Sequence, residues 1–226
     1  MAVIQTAESL AHDFDRIARL PSDPWDHNRM YHRLLLRQLP RGARAALEIG
    51  CGAGEFSAAL AQRVERVLAL DLSAEMLAAA KLRCAGLRKV ELVQADVLAQ
   101  SLPREGFDVV ASIATLHHLP LREIFARVSD TLRPGGVFLA LDVSDERTLR
   151  GAARSAVAIP LNVFGRLLTT GSLRPSAEVR SAWAAHAATD RYPRVAEVRH
   201  LAAELLPGAR VREHLFWRWS LIWRKP

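Results

Sequence analysis

From residue 45 onward, short apolar runs alternate with stretches whose apolar positions recur at helical spacing. The runs fall at Ala45–Ile49, Val67–Asp71, Val90–Gln94, Val109–Ala114 and Val137–Leu141. A short run that is apolar at nearly every position predicts a strand covered on both faces, as in parallel sheets flanked by helices. Helical patterns near 54–63, 73–84 and 120–132 separate the runs, and Arg133-Pro134-Gly135-Gly136 stops the last of them. Two amphipathic helices, 7–20 and 28–39, come first, parted by the proline- and Asx-rich PSDPWDHN. This rhythm predicts an α/β chain built on a doubly wound, mostly parallel sheet.

Residues 145–208 break the rhythm. Alanine-rich helical stretches there are split by Pro160, Gly165, Gly171, Pro175 and Pro193. The segment reads as an insertion between the fifth and sixth strands, in the place where a substrate lid would sit. The tail, ARVREHLFWRWSLIWRKP, alternates well enough for an antiparallel hairpin with a tight turn near Leu215–Trp217. Trp219, Leu221 and Trp223 then share one strand face and are expected in the core. The expected organisation is one domain over 1–226: a helical cap (1–40), a ligand-binding core (41–144), the insertion (145–208) and the hairpin (209–226).

Half of the 226 residues are apolar, enough for one sizeable core. The formal charge of +7 is carried almost wholly by arginine, since lysine occurs only at 81, 89 and 225. No consecutive basic block occurs, so these charges read as a solvated surface, although nucleic acid, anionic lipid or an acidic substrate stay open as partners. Cys51 and Cys84 fit neither a disulfide framework nor a zinc site, and no metal is expected. The N-terminus has no apolar signal core. Gly151–Gly171 is interrupted by Arg154 and Arg166, short of the roughly 20 apolar residues of a spanning helix. A soluble, cytoplasmic protein is the expectation. An interfacial contact through Gly151–Leu168 remains open.

The chemistry concentrates in LEIGCGAGEFS, Leu47–Ser57, which follows the first strand and opens a helix. Ligands of open parallel sheets bind outside the carboxyl ends of strands. Gly50, Gly52 and Gly54 permit a tight turn and clear space for a ligand. A dinucleotide fingerprint would need glycine where Glu55 stands, and a carboxylate there would repel a pyrophosphate. Asp71 ends the second strand, where a carboxylate can accept from a ribose diol. Asp96 follows the third strand and can accept from an exocyclic amine, or merely cap a turn. The three together describe an adenosine pocket.

Glu48-Ile-Gly50-Cys-Gly52-Ala-Gly54 resembles the first motif of class I S-adenosylmethionine-dependent methyltransferases. LALDLS (68–73), VQADV (93–97), FDVVASIATLHHL (107–119) and LRPGGVFLALD (132–142) resemble later motifs of that family in the right order. PWDHNRMYH and WRWSLIWRKP look like a bacterial small-molecule subgroup. The resemblance implies a Rossmann-like, seven-stranded, mostly parallel sheet with a C-terminal antiparallel hairpin, and S-adenosylmethionine as cofactor. It places Gly50, Cys51, Gly52 and Gly54 along the methionine and ribose, with Glu48 buttressing the turn. Asp71 takes the ribose hydroxyls, Leu72 and Met76 flank the adenine, and Asp96 and Val97 meet its edge. Ser112 and Ile113 offer backbone carbonyls to the methionine amine; Ile113 stands where many relatives carry a polar residue. Tyr31 and His32, with His27, would close over the cofactor from the N-terminal segment.

Methyl transfer from a sulfonium is an in-line displacement that needs no protein nucleophile, though a positioned base helps a protonated acceptor. His117 and His118 follow the fourth strand, and one of the two is expected to face the cleft. His186, with Trp183 and Asp190 at helical spacing, forms another candidate base cluster, or else a surface pair beside a packed tryptophan. A small-molecule acceptor, quinone-like or a specialised metabolite, fits best. A nucleic-acid methyltransferase lacks support, because residues 113–117 carry neither a proline pair nor an aromatic. A protein methyltransferase or a non-catalytic cofactor-binding module stays open.

Overall fold

The computed structural model describes residues 6–144 and 148–226. Positions 1–5 of the expected cap and 145–147 of the expected insertion lie outside the described residues. The chain runs α1 (Ala7–Ala18), α2 (Arg29–Leu36), β1 (Ala45–Ile49), α3 (Glu55–Ala61), β2 (Arg66–Asp71), α4 (Ala74–Arg83), β3 (Val90–Gln94), β4 (Phe107–Ile113) and a 3₁₀ turn (Leu116–His118). It continues through α5 (Leu121–Thr131), β5 (Leu132–Val143), α6 (Leu149–Thr170), α7 (Ala177–Ala187), α8 (Val195–Leu205), β6 (Arg210–His214) and β7 (Arg218–Arg224). The seven strands form one sheet of order β3-β2-β1-β4-β5-β7-β6. β1 to β5 are mutually parallel, and β7 joins β5 antiparallel and carries β6 as a hairpin. The fold class expected from the sequence is the one observed.

All five residues of β1 are buried, and one face of the sheet collects Leu47, Ile49, Val110, Phe138, Trp219, Leu221 and Trp223. The other collects Ala46, Val109, Ala111, Val137 and Leu139 beneath α3. Two covered faces explain why these strands read as unbroken apolar runs. The tryptophan stripe is core: Trp219 is fully buried, and its Nε1 donates to the Val143 carbonyl at 2.9 Å.

The segment after β5 differs from its sequence reading in two ways. α6 runs unbroken for 22 residues through Pro160 and Gly165. Pro160 is exposed, so the carbonyl it leaves unpaired can be solvated. Gly165 is small because Trp25 lies there; a Cβ would meet the indole at 2.1 Å. Trp25 Nε1 donates to Asn162 Oδ1 at 2.7 Å and Arg166 pairs with Asp23, so the 21–28 loop docks on α6. The second difference is α8, whose Val195, Val198 and Ala202 pack into the same core cluster as Trp219. It covers the sheet rather than extending from it.

The hairpin turn carries Phe216 and Trp217 at φ of +57° and +56°. Such conformations strain bulky residues and persist where surroundings over-determine them. His27 stacks on Phe216 at 4.7 Å, and Trp217 Nε1 donates to Ser155 Oγ at 3.0 Å. Loop 21–28, α6 and the turn therefore brace one another. Truncating Trp219 to alanine should lower unfolding free energy by about 3–5 kcal/mol, measured by urea denaturation.

Candidate functional site

β1 ends at Ile49, and the chain turns sharply through Gly50–Gly54 into α3. Gly50 and Cys51 both donate to the Leu70 carbonyl at 2.9 Å, folding the turn back on β2. Gly50 has φ +69°, and a Cβ there would strike Thr115 Oγ1 at 2.2 Å. Gly52 has φ +50°, and nothing lies within 4 Å of where its Cβ would stand, so its open side can receive a ligand. Glu55, which the sequence sets against a pyrophosphate, pairs with Arg29 at 3.6 Å and Arg83 at 3.3 Å.

Asp71 ties this turn to the next one. Its Oδ2 accepts from Gly52 N at 2.7 Å and its Oδ1 from Ser73 N at 2.9 Å. Each oxygen keeps a second lone pair, so a diol can still be received. Burial pushes its pKa up, opposed by these amide hydrogen bonds. Glu48 lies wholly buried beneath the turn, with the Ser57 hydroxyl donating to it. Burial drives its pKa to about 8. Cys51 is buried and its thiol is pushed far up, so it is no nucleophile.

The other expected cofactor residues are distributed around this edge. Leu72 and Met76 are half-buried at the start of α4, whose cap Ser73 accepts from Met76 N at 3.0 Å. Asp96 Oδ1 accepts from Leu98 N at 2.8 Å, an Asx turn, and Val97 is buried. Ser112 is buried and its hydroxyl donates to the Ile49 carbonyl at 3.1 Å, stapling β4 to β1. Ile113 is half-buried, and Ala114 beyond it takes φ +52°. His32 packs edge-on against Phe56 of α3 at 4.9 Å, and burial lowers its pKa to about 4. Tyr31 is tethered to the hairpin turn: its hydroxyl donates to the Leu215 carbonyl at 2.8 Å and its ring lies 4.9 Å from His214. Its ring also packs against the apolar cluster that contains Cys51 and Phe56. His27 is committed to Asn162 at 2.8 Å and to Phe216.

The histidines converge. His117 Nδ1 lies 2.6 Å from Asp142 Oδ1, and its backbone N–H donates to Asp142 Oδ2 at 2.8 Å. His117 Nε2, His118 Nδ1 and His186 Nε2 stand 3.7, 3.5 and 3.4 Å from the Asp190 carboxylate. Tyr192 donates to Asp190 Oδ2 at 3.0 Å. Burial opposes a charge on His117, but the Asp142 and Asp190 carboxylates outweigh it and lift its pKa to about 9. Burial and the neighbouring His117 hold His118 down at about 4. Phe14 of α1 covers the group, 4.7 Å from the His186 ring and 5.6 Å from His118.

Both members of the His117–His118 pair thus enter the cluster, where the sequence placed one. His186 and Asp190 are buried rather than a surface pair, while Trp183 is exposed. Sequence reasoning missed Asp142, Tyr192 and Phe14. For Asp142 a signal existed: an acid closes the apolar run FLALD just as Asp71 closes LALD. A separate surface hollow of about 570 Å³ between α8 and β6 opens at the opposite edge of the sheet.

Glu48 makes stability depend on pH. A carboxyl ordinarily titrating near 4.5 is held near about 8 in the fold, so its contribution is intact below pH 4.5 and lost as pH rises through about 8. Glu48→Gln should flatten this slope, leaving the variant more stable than wild type at pH 9 by about 2–4 kcal/mol, read by urea unfolding at pH 6 and 9.

A sequence family described as a methyltransferase domain matches residues 46–136. An uncharacterised methyltransferase of Mycobacterium tuberculosis (strain ATCC 25618 / H37Rv) is 32% identical over 207 residues, covering 90% of this chain and 98% of its own. A ubiquinone biosynthesis O-methyltransferase of Xylella fastidiosa (strain 9a5c) is 30% identical over 77% of this chain and 76% of its own. Among solved structures, the N-methyltransferase NodS from Bradyrhizobium japonicum WM9, in complex with S-adenosyl-l-homocysteine, superposes with a TM-score of 0.64 at 20% identity, over 96% of this chain and 98% of that one. With the glycine turn, the strand-end carboxylates and the strand order in place, these likenesses show that the chain belongs to the class I S-adenosylmethionine-dependent methyltransferases.

Proposed function

We propose that the chain methylates a small-molecule acceptor, with S-adenosylmethionine lying along the carboxyl ends of β1, β2 and β3. The observation that carries this reading is the Asp71 carboxylate, which fixes Gly52 at 2.7 Å beside an open approach. In it, Gly50 and Gly52 face the methionine and ribose, Asp71 accepts from the ribose hydroxyls, and Leu72, Met76, Asp96 and Val97 surround the adenine. Glu48 supports the turn from below, and the carbonyls at Ser112 and Ile113 face the amine. His32 and Tyr31 close the cofactor side from α2, Tyr31 with its hydroxyl tethered to the Leu215 carbonyl. The sulfonium carbon is attacked in line: the bond to the acceptor forms as the carbon–sulfur bond breaks, and the protein's work is alignment.

The histidine cluster follows the same strand end as the Ile113 carbonyl and is covered by α1 and α7, so it forms the acceptor side. His117, His118 and His186 there orient the acceptor and its departing proton. α6 and α7 act as the lid, held down by Trp25 on Gly165.

One observation favours a lipophilic acceptor. α6 exposes Val157, Ile159, Leu161, Phe164, Leu167 and Leu168. No helix among the described residues is long and apolar enough to cross a membrane, so such a face would lie on a lipid surface. One relative is, by its name, an O-methyltransferase of ubiquinone biosynthesis, and a quinone-like phenol suits both that name and the apolar face.

Asp71→Asn should weaken binding of S-adenosylhomocysteine by about 1.5–3 kcal/mol in calorimetry. His117→Ala and His186→Ala should bind it normally and turn over more slowly on a phenolic acceptor panel; full activity in both would remove the cluster from the reaction. Vesicles containing anionic lipid should co-sediment the protein, and Phe164→Glu should release it.

A further inference from the structure

Asp190 is buried, its side chain 1% exposed, and its Oδ1 takes part in no hydrogen bond. His118 Nε2 and His186 Nδ1 are buried without hydrogen-bond partners beside it. A buried polar atom left without a hydrogen bond costs about 1–3 kcal/mol. His118 Nε2 lies across its ring from Asp190, and His186 Nδ1 faces Asp13 Oδ2 at 3.7 Å. It is therefore the carboxylate oxygen Asp190 Oδ1, with His118 Nδ1 aimed at it, that points to an occupant. The spacing indicates which. His118 Nδ1 to Asp190 Oδ1 is 3.5 Å and His117 Nε2 to Asp190 Oδ2 is 3.7 Å. Those separations are long for N–H···O bonds, whose usual length is about 2.9 Å. They approach the edges of a coordination tetrahedron, roughly 3.3–3.6 Å when metal–ligand bonds are about 2.0–2.2 Å. One ligand atom from each of His117, His118 and Asp190 falls within 4.8 Å of the others.

Surrounding groups complete the pattern. His117 is pinned by Asp142 at both its backbone N–H and Nδ1, at 2.8 and 2.6 Å. A carboxylate on the far ring nitrogen is the usual support of a metal-ligating histidine, because it fixes the tautomer and aims Nε2. His186 Nε2 at 3.4 Å and the Tyr192 hydroxyl at 3.0 Å hold the carboxylate at Oδ2, leaving Oδ1 toward His118.

We propose that His117, His118 and Asp190 bind one divalent first-row transition cation, with Asp142, His186 and Tyr192 as positioning residues. Two imidazoles and one carboxylate suit zinc or iron(II); magnesium and calcium prefer oxygen ligands throughout. Three protein ligands leave a coordination position for water or an acceptor oxygen. The site is distinct from the glycine turn and does not depend on the methyl-transfer reading.

The test uses the full chain without a polyhistidine tag, stripped with chelator, then titrated with Zn²⁺ by calorimetry and with Co²⁺ in the visible spectrum. One equivalent of either ion per chain, with Co²⁺ bands of a four- or five-coordinate nitrogen–oxygen site, is expected. His118→Ala and Asp190→Asn should each weaken binding by about 10–100-fold, while His200→Ala, at an exposed histidine on α8, should not. S-adenosylhomocysteine binding in the same samples reports the fold and the cofactor pocket separately. If Asp190→Asn does not fold, the wild-type Co²⁺ spectrum and His118→Ala decide. Wild-type protein that takes up no stoichiometric ion, or folded His118→Ala that binds as wild type does, overturns the site.

Discussion

Two acids at strand ends hold the working edge of this sheet. Asp71 closes β2 and accepts from the amide of Gly52 in the loop leaving β1. Asp142 lies near the end of β5 and accepts from the amide of His117 in the loop leaving β4. Because β2 neighbours β1 and β5 neighbours β4, each carboxylate reaches across to the adjacent strand's exit loop. A carboxylate accepting several N–H bonds makes strong charge-assisted contacts that fix loop backbone without adding bulk. The parallel arrangement thus produces two rigid loops side by side, one shaped for a ligand's backbone approach, the other presenting imidazoles.

What covers that edge comes from remote sequence. Asp15 of α1 accepts from Ser73 Oγ at 2.6 Å and from Glu75 N at 3.1 Å, docking α1 on the start of α4. Phe14, one residue away, then necessarily faces the histidines. Loop 21–28, α6 and the strained Phe216–Trp217 turn brace the other side through Trp25, His27 and Asn162. The cluster itself is buried, with Phe14 and Tyr192 against its rings. That burial strengthens its electrostatics, since nearby charges interact more strongly at low effective dielectric.

α6 stands apart in this arrangement. It buries only Gly151, Ala158 and Arg166 among its described residues, and turns large apolar side chains outward. Its length and its Thr148 cap make it a firm helix, while its contacts with the rest run through Trp25 on Gly165 and through Arg154, Ser155, Asn162 and Arg166. A well-formed helix held in this way presents its apolar face outward without drawing on the sheet.

The sheet, the glycine turn and the Asp71 position were legible in the sequence because their determinants are local. Strands buried on both faces must be apolar throughout, a turn with positive φ favours glycine, and an acid at a strand end follows its own run. The hairpin and its tryptophan face were legible for the same reason, through alternation. The continuity of α6 through Pro160 was not, since it depends on solvent around one carbonyl and on Trp25 filling the space at Gly165. Nor was the tethering of Tyr31 to Leu215, separated by 184 positions. Spacing joined His117 to His118 and His186 to Asp190, but the meeting of those two pairs with Asp142 was decided by tertiary structure alone: no spacing rule joins a loop after β4, the end of β5 and the last turn of α7 with the segment after it. Only closure of the chain around a buried carboxylate brings them to one place.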